Sequence, residues 1–331
     1  MPRPPSARSR RRRPRIGLAL GSGSARGWSH IGIIEALEKL GIKPDIVCGA
    51  SIGALVGAAL VTGRFGELKR WAESISWREI VGMLDISLSG GGLISGRQVV
   101  KLLRQLGIDG DIESFATPFA AVGTDLATGR EVWFRSGSIL DAVRASIAVP
   151  GIFSPARNEG RWLLDGGIVN PVPVSLCRAL GADIVIAVNL NGDQIGRWVR
   201  EPDPLPDEDE EAEEPTDFFA RLVGQMPAAL RDQVGQVAPR LLSSEKETVP
   251  GYFDVLVGAI DIMQDHITRA RLAGEPPDVM LVPRLREIEL MDYHRAREAI
   301  ALGHECIEQS ETVLRTIVEK LPKAVKKPAA G

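Results

Sequence analysis

At 331 residues, 44% hydrophobic and 25% charged, the chain is long and apolar enough to bury a core as one large domain or two small ones, which excludes a fibrous or wholly disordered protein. A net charge of -3 excludes a partner recognised through bulk charge alone. Three cysteines (Cys48, Cys177, Cys306), odd in number and without a CxxC pair, exclude a disulfide framework and a zinc site, and a reducing cytoplasm suits them.

The first 15 residues (MPRPPSARSRRRRPR) hold seven arginines and no acid. Residues 1–14 are expected to form a disordered tail, either simply solvated or drawn to anionic lipid headgroups by roughly 1 kcal/mol per basic residue. Nucleic acid would attract the same arginines, but no nucleic-acid partner is expected. No export signal is expected in the tail, because the apolar stretch after it, Ile16 to Leu20, is too short and runs directly into glycine.

Ile16 to Leu20 reads as a strand, His30 to Leu40 as a helix with Ile31, Ile34, Ala36 and Leu37 on one side and Gly41 ending it, and Ile46 to Cys48 as the next strand. Strand, helix and strand in this order predict a βαβ unit in a mainly parallel sheet. Between the first strand and the helix lies Gly21-Ser22-Gly23-Ser24-Ala25-Arg26-Gly27. Such a loop turns backbone N–H groups outward, as an oxyanion hole or a phosphate cradle requires. Against a dinucleotide loop, Arg26 stands where a third glycine belongs, and no acid ends the second strand. Arg26 is open to pairing with a carboxylate that fixes the loop.

The second strand runs into Gly49-Ala50-Ser51-Ile52-Gly53, a G-x-S-x-G at a strand-to-helix turn. Here a serine hydroxyl is exposed, flanking glycines admit the backbone crossing, and the following helix directs its positive N-terminus at the site; the alternative is a close-packed glycine turn. Ile46 to Gly63 lacks charge over 18 residues, but its glycines, Ser51 and Thr62 favour strand, turn and helix over a membrane span. Leu84 to Gly96 is either a mobile flap over the site or a plain connector.

Further strands are expected at Ala120 to Val122, Glu131 to Phe134 and Trp162 to Leu164. The last ends in Asp165-Gly166-Gly167, which is either an ordinary hairpin turn or a base carried on a strand end. Pro171 and Pro173 open a helix toward Leu180, and Asp183 to Val188 is a buried strand. Glu201 to Asp217 carries ten acids and no base and is expected to be a disordered insert. Helices follow at Phe218 to Leu242, Tyr252 to Leu272 and His294 to Leu321, with a strand at Val279 to Val282. The four histidines (His30, His266, His294, His304) read as surface or capping residues, so an aspartate acting directly on Ser51 is the simpler pairing.

The segments Gly21 to Gly32 (GSGSARGWSHIG), Gly49 to Gly53 and Asp165 to Gly167, in this order, resemble the three signature blocks of bacterial patatin-like phospholipases. Thr124 to Gly129 and Ala145 to Phe153 are similar to that family's text as well, and the likeness runs from about Ile16 to about Asn191. The resemblance implies a three-layer α/β fold with a mainly parallel sheet flanked by helices and a helical C-terminal extension. It also implies hydrolysis of lipid acyl esters without metal or cofactor, with Ser51 as nucleophile and Asp165 as base. The oxyanion hole would then be Gly21, Ser22, Gly23, Ser24, Arg26 and Gly27, the elbow Gly49, Ala50, Ile52 and Gly53, and the base turn Gly166 and Gly167. Two features depart from the family: Ser22 and Ser24 interrupt the first glycine run, and Trp28 is bulkier than usual. Expected domain limits are 15–200 for the catalytic domain, 201–217 for the insert, 218–322 for a helical extension on the same domain and 323–331 for a tail. A soluble esterase or thioesterase, or a non-catalytic lipid-binding module, are the competing readings. The chain is expected in the cytoplasm, in peripheral contact with anionic membrane through its arginine tail.

Overall fold

The computed structural model describes residues 12–76, 79–80, 92–193 and 252–320. Residues 1–11 of the arginine tail, residues 84–91 of the expected flap, the acidic segment 201–217, the expected helix at 218–242 and the tail at 323–331 lie outside the described residues.

In chain order the elements are β1 (Ile16–Leu20), α1 (Ser29–Lys39), β2 (Ile46–Ala50), α2 (Ile52–Val61), α3 (Phe65–Ser74), β3 (Gly92–Ile94), α4 (Arg97–Gln105), β4 (Phe119–Asp125) and β5 (Glu131–Phe134). There follow α5 (Ile139–Ser146), β6 (Gly151–Phe153), β7 (Ala156–Asn158), β8 (Arg161–Asp165), α6 (Val174–Ala179), β9 (Ile184–Val188), α7 (Tyr252–Gly274), β10 (Val279–Leu281) and α8 (Ala296–Lys320). The segment Ile46 to Gly63 resolves into β2, the Ser51 turn and α2, and no helix among the described residues is long and apolar enough to cross a membrane.

Eight strands form one sheet in the order β10-β9-β1-β2-β4-β8-β7, with β5 also paired to β4. Strands β10, β9, β1, β2 and β4 are parallel, β5 and β8 run antiparallel to β4, and β7 runs antiparallel to β8. Continuous apolar runs such as β9 (IVIAV) are explained by helices on both faces, because alternate residues enter two separate cores. Leu18, Leu20 and Val47 join the core beneath α1, α2, α5 and α8, whereas Ala19, Cys48 and Ala187 join the core under α6. The result is a three-layer α/β fold in which α8 lies against α1 and β10, and α7 lies against the turn at Gly166–Ile168. Cys48 and Cys177, distant in sequence, meet as thiols in the α6 core, where burial pushes the Cys48 thiol well up.

The antiparallel half does something that the parallel half cannot. Residues 121 and 122 of β4 pair with both β2 and β5, and residues 123 and 124 pair with both β8 and β5. A strand has only two edges, so β2 and β8 occupy the same edge of β4, one beyond the other. Ala50 pairs with Val122 and Asp165 with Gly123. Two strands running in opposite directions therefore end head to head, and their last residues deliver Ser51 and Asp165 to one point.

At the opposite, amino edge of the parallel strands, Arg12 bonds Asp183 at 2.9 Å and Arg13 bonds Asp45 at 2.8 Å. The stem of the arginine tail thus lies against the turns that precede β9 and β2. Each strand here is roughly 15 Å long, so this anchor is separated from the Ser51 edge by the depth of the sheet.

Candidate active site

Ser51 is the residue between β2 and α2, and its backbone sits at φ 54° and ψ -124°. That conformation is rare for any residue with a side chain and is kept only where the surroundings enforce it. Here they do. A Cβ on Gly49 would lie 2.4 Å from the amide of Ala54, and one on Gly53 would lie 2.2 Å from the carbonyl of Leu20. Only glycine permits the elbow to close this tightly against its own helix and against β1. The Ser51 N–H is tied to Ser146 Oγ at 2.9 Å, and α2 begins at the next residue, Ile52, with its N-terminus toward the hydroxyl.

The Ser51 hydroxyl donates to Asp165 Oδ2 at 2.5 Å. The other carboxyl oxygen accepts from the Gly167 N–H at 2.7 Å, so the turn Gly166–Gly167 orients the acid. Thr124 Oγ1 donates to the Asp165 carbonyl at 2.7 Å and fixes the strand end. The carboxyl group is buried, and burial raises its pKa from 3.8 to about 7 against the opposing pull of the bonds from Ser51 and Gly167.

The glycine-serine loop passes over this pair, and its members fall into distinct places. Gly21 N–H donates to Val188 O, Ser22 N–H to Pro171 O and Arg26 N–H to Gly23 O. These three amides, expected at the oxyanion hole, are occupied in the frame of the loop. The N–H groups of Gly23 and Ser24 find no acceptor among the described residues, and Ser24, at φ 50°, is held in the left-handed region. Gly27 is the contact between loop and elbow: a Cβ there would lie 2.2 Å from the Ile52 side chain.

The Arg26 side chain turns inward instead of toward Ser51. It is fully buried, bonding Asp261 at 3.0 Å, Asn191 at 3.1 Å and the Ile288 carbonyl at 3.0 Å. Ser22 Oγ and Asn191 Nδ2 both donate to Gln264 Oε1 at 2.8 and 2.7 Å. Helix α7 thus braces the loop through Asp261 and Gln264, two residues that sequence reasoning passed over because nothing local marks them. His30, expected at the surface or as a cap, is buried; its Nε2 meets the Gly21 carbonyl at 2.9 Å, and burial lowers its pKa to about 4. The neutral ring donates to that carbonyl and secures the base of the loop. No histidine bonds Ser51 or Asp165 among the described residues; His304 pairs with Glu35, and His266 and His294 are exposed.

Tyr293 is a further residue that the sequence did not single out. Its hydroxyl lies 2.6 Å from Ser24 Oγ, its carbonyl accepts from Trp28 Nε1 at 3.2 Å, and its ring meets Trp28 edge-on at 6.1 Å. Trp28, bulky for its place in the family pattern, is part of the wall so formed. Ser51, Ser24 and Tyr293 open onto a pocket whose other walls are apolar, including Leu55, Leu68, Trp71, Val149 and Phe153. Ile94, at the described end of the expected flap, also lines it; there β3 pairs in parallel with β6 as a small second sheet. Among the described residues no group of three or more His, Cys, Asp or Glu side chains converges as a metal ion requires.

An α/β fold with a serine on a strand-to-helix elbow, an aspartate on an adjoining strand end and a glycine-rich loop above them is the arrangement of the class to which the sequence motifs pointed. A family model described as patatin-like phospholipase matches residues 18–178. The chain is 36% identical over 352 aligned positions to an NTE family protein of Mycobacterium tuberculosis, covering 94% of this chain and 95% of that one. It belongs to the patatin-like phospholipase family and, within it, groups with the NTE family proteins. It is also 35% identical over 182 residues to the lysophospholipase nte1 of Emericella nidulans, an alignment that takes in 53% of this chain and 12% of that much longer protein. Among solved structures, VipD from Legionella pneumophila aligns with a TM-score of 0.40 at 13% identity, over 92% of this chain and 67% of that one.

Proposed function

We propose that this protein hydrolyses acyl esters of phospholipids, lysophospholipids or related lipids with a Ser51–Asp165 dyad through an acyl-enzyme. The observation that carries the reading is the 2.5 Å bond to a buried carboxyl from the Oγ of Ser51, a residue that lines an apolar pocket. A fungal relative named as a lysophospholipase and a mouse relative named as a patatin-like phospholipase domain-containing protein agree with it.

The chemistry follows from the groups present. Asp165, with a pKa near 7, is ionised in a useful fraction at neutral pH yet basic enough to accept the Ser51 proton. Ser51 Oγ then attacks the acyl carbonyl, and the N–H groups of Gly23 and Ser24, aided by the N-terminus of α2, hold the oxyanion. Collapse of the tetrahedral intermediate breaks the ester C–O bond, and the proton on Asp165 passes to the departing alcohol. Water repeats the sequence: Asp165 takes its proton, hydroxide attacks the acyl-serine, and the proton returns to Ser51 Oγ as the fatty acid leaves. The apolar walls receive the acyl chain, which favours long chains over short ones.

Ser51→Ala should abolish hydrolysis of a lysophospholipid, by at least about 10⁴-fold, and should lose labelling by a fluorophosphonate probe. Turnover retained by that variant would refute the dyad. A chain-length series of esters on the wild type separates a lipid hydrolase from a small-ester enzyme: specificity that does not rise with chain length would favour the latter.

A further inference from the structure

The hairpins that carry β4–β5 and β7–β8 raise an unusual surface beside the catalytic edge. Trp162 is 51% exposed and Leu126 50%, and Trp133 is exposed nearby. Strand register places them together. Trp133 pairs with Val122 and Trp162 with Arg157, the Leu126 N–H donates to Trp162 O just past the end of β4, and alternation puts all of these side chains on one sheet face. Each indole carries an arginine: Arg135 lies 5.8 Å above the Trp133 ring and Arg157 lies 5.5 Å above the Trp162 ring.

The charge on this face is unbalanced. Its two carboxylates are already taken, Glu131 by Arg271 at 2.8 Å and Glu159 by Arg161 at 3.1 Å. Arg135 and Arg157 are exposed and have no carboxylate partner among the described residues. Indole rings and arginine stems suit the boundary between headgroups and acyl chains, where the ring is half wet and the guanidinium meets phosphate. The arginine tail is placed differently, since its stem is tied to the amino edge of the sheet, away from Ser51.

We propose that the Leu126–Trp133–Trp162 face, with Arg135 and Arg157, is the surface by which this protein docks on an anionic phospholipid bilayer. The face lies toward the same carboxyl edge of the sheet as Ser51, on the side opposite the Asp165 carboxyl. The inference does not need the dyad, because Ser51→Ala leaves the docking face intact.

The test uses the full chain and sedimentation with vesicles of phosphatidylcholine, alone or mixed with phosphatidylglycerol. Wild type and Ser51→Ala should bind the mixed vesicles alike and release them in high salt. Arg135→Gln with Arg157→Gln should weaken that binding about tenfold or more, and Trp162→Ala should weaken it as well. Both variants should hydrolyse a soluble short-chain ester at the wild-type rate. Deletion of residues 2–11 should leave binding largely unchanged. Brominated lipids read the same contact without altering the fold: they should quench wild-type tryptophan emission, and quench it less in Trp162→Phe. Failure of the wild type to bind, equal binding by the face variants, or absence of quenching would overturn the proposal. So would a face-dependent dimer that ignores vesicles, which would give this face to a second copy of the chain.

Discussion

Replacing Asp165 with Asn removes an ionisable group while keeping the shape of the side chain and its capacity to accept from Gly167 N–H and to meet Ser51 Oγ. In the folded protein the Asp165 pKa is about 7, against 3.8 for an ordinary aspartate. Its folded value is therefore raised, so the unfolded chain gives up this proton near pH 4 while the folded chain holds it until about 7. Wild-type stability due to this group is complete below pH 4, falls as pH rises, and levels off above 7. Three units at about 1.4 kcal/mol each make the loss about 4 kcal/mol. Asparagine carries no such burden. Asp165→Asn should gain on the wild type by under about 2 kcal/mol at pH 5 and by about 4 kcal/mol at pH 8, while losing ester hydrolysis. Urea unfolding followed by circular dichroism at pH 5, 6, 7 and 8 measures the difference. A difference that is flat with pH, or that shrinks as pH rises, would refute the argument that burial strains this carboxylate, and with it the account of Asp165 as a base tuned toward neutrality. The wild type should show the matching kinetic sign, kcat/KM rising through about pH 7 on the acid limb.

Three further expectations rest on the bracing of the loop. Arg26→Met leaves Asp261, Asn191 and the Ile288 carbonyl without their cation, and should cost about 3–5 kcal/mol; Asp261→Leu added to it should restore part of that loss, and additivity of the two in thermal or urea unfolding would refute the pair. Tyr293→Phe removes one hydroxyl beside Ser24, and steady-state kinetics should show kcat lowered about fivefold to tenfold with KM little changed; a change confined to KM would assign Tyr293 to substrate binding instead. His30 is neutral when folded, with a pKa of about 4 against 6.5 unfolded, so the unfolded chain binds the extra proton between those values and stability falls as pH drops through that window, by about 3 kcal/mol. The acid limb of stability should flatten in His30→Gln, and an unchanged limb would count against burial as the cause.

Much of the layered architecture was legible from β1 to β9, because a strand buried on both faces must be apolar throughout and the helices between announce themselves by period and by glycine stops. The serine elbow was equally legible, since its requirements are local: glycine on either side, strand before, helix after. Asp165 could be nominated but not placed. Its strand runs antiparallel and lies in line with β2 on the edge of β4, and nothing within Arg161 to Asp165 encodes which partner that edge will find.

The remaining features are decided by contacts between residues far apart in the chain. Which loop amides stay free depends on Val188, Pro171 and Gly23 accepting from the others; Arg26 meets Asp261 across 235 positions. His30 is buried by what packs over it, and the tryptophans on β5 and β8 share a face only because β4 sets both registers. Local chemistry in the sequence determined the serine elbow and the layers. Tertiary pairing decided the direction of the Asp165 strand, the burial that lifts its pKa and the face that Trp133 and Trp162 share, because each is a property of register and enclosure that no segment holds by itself.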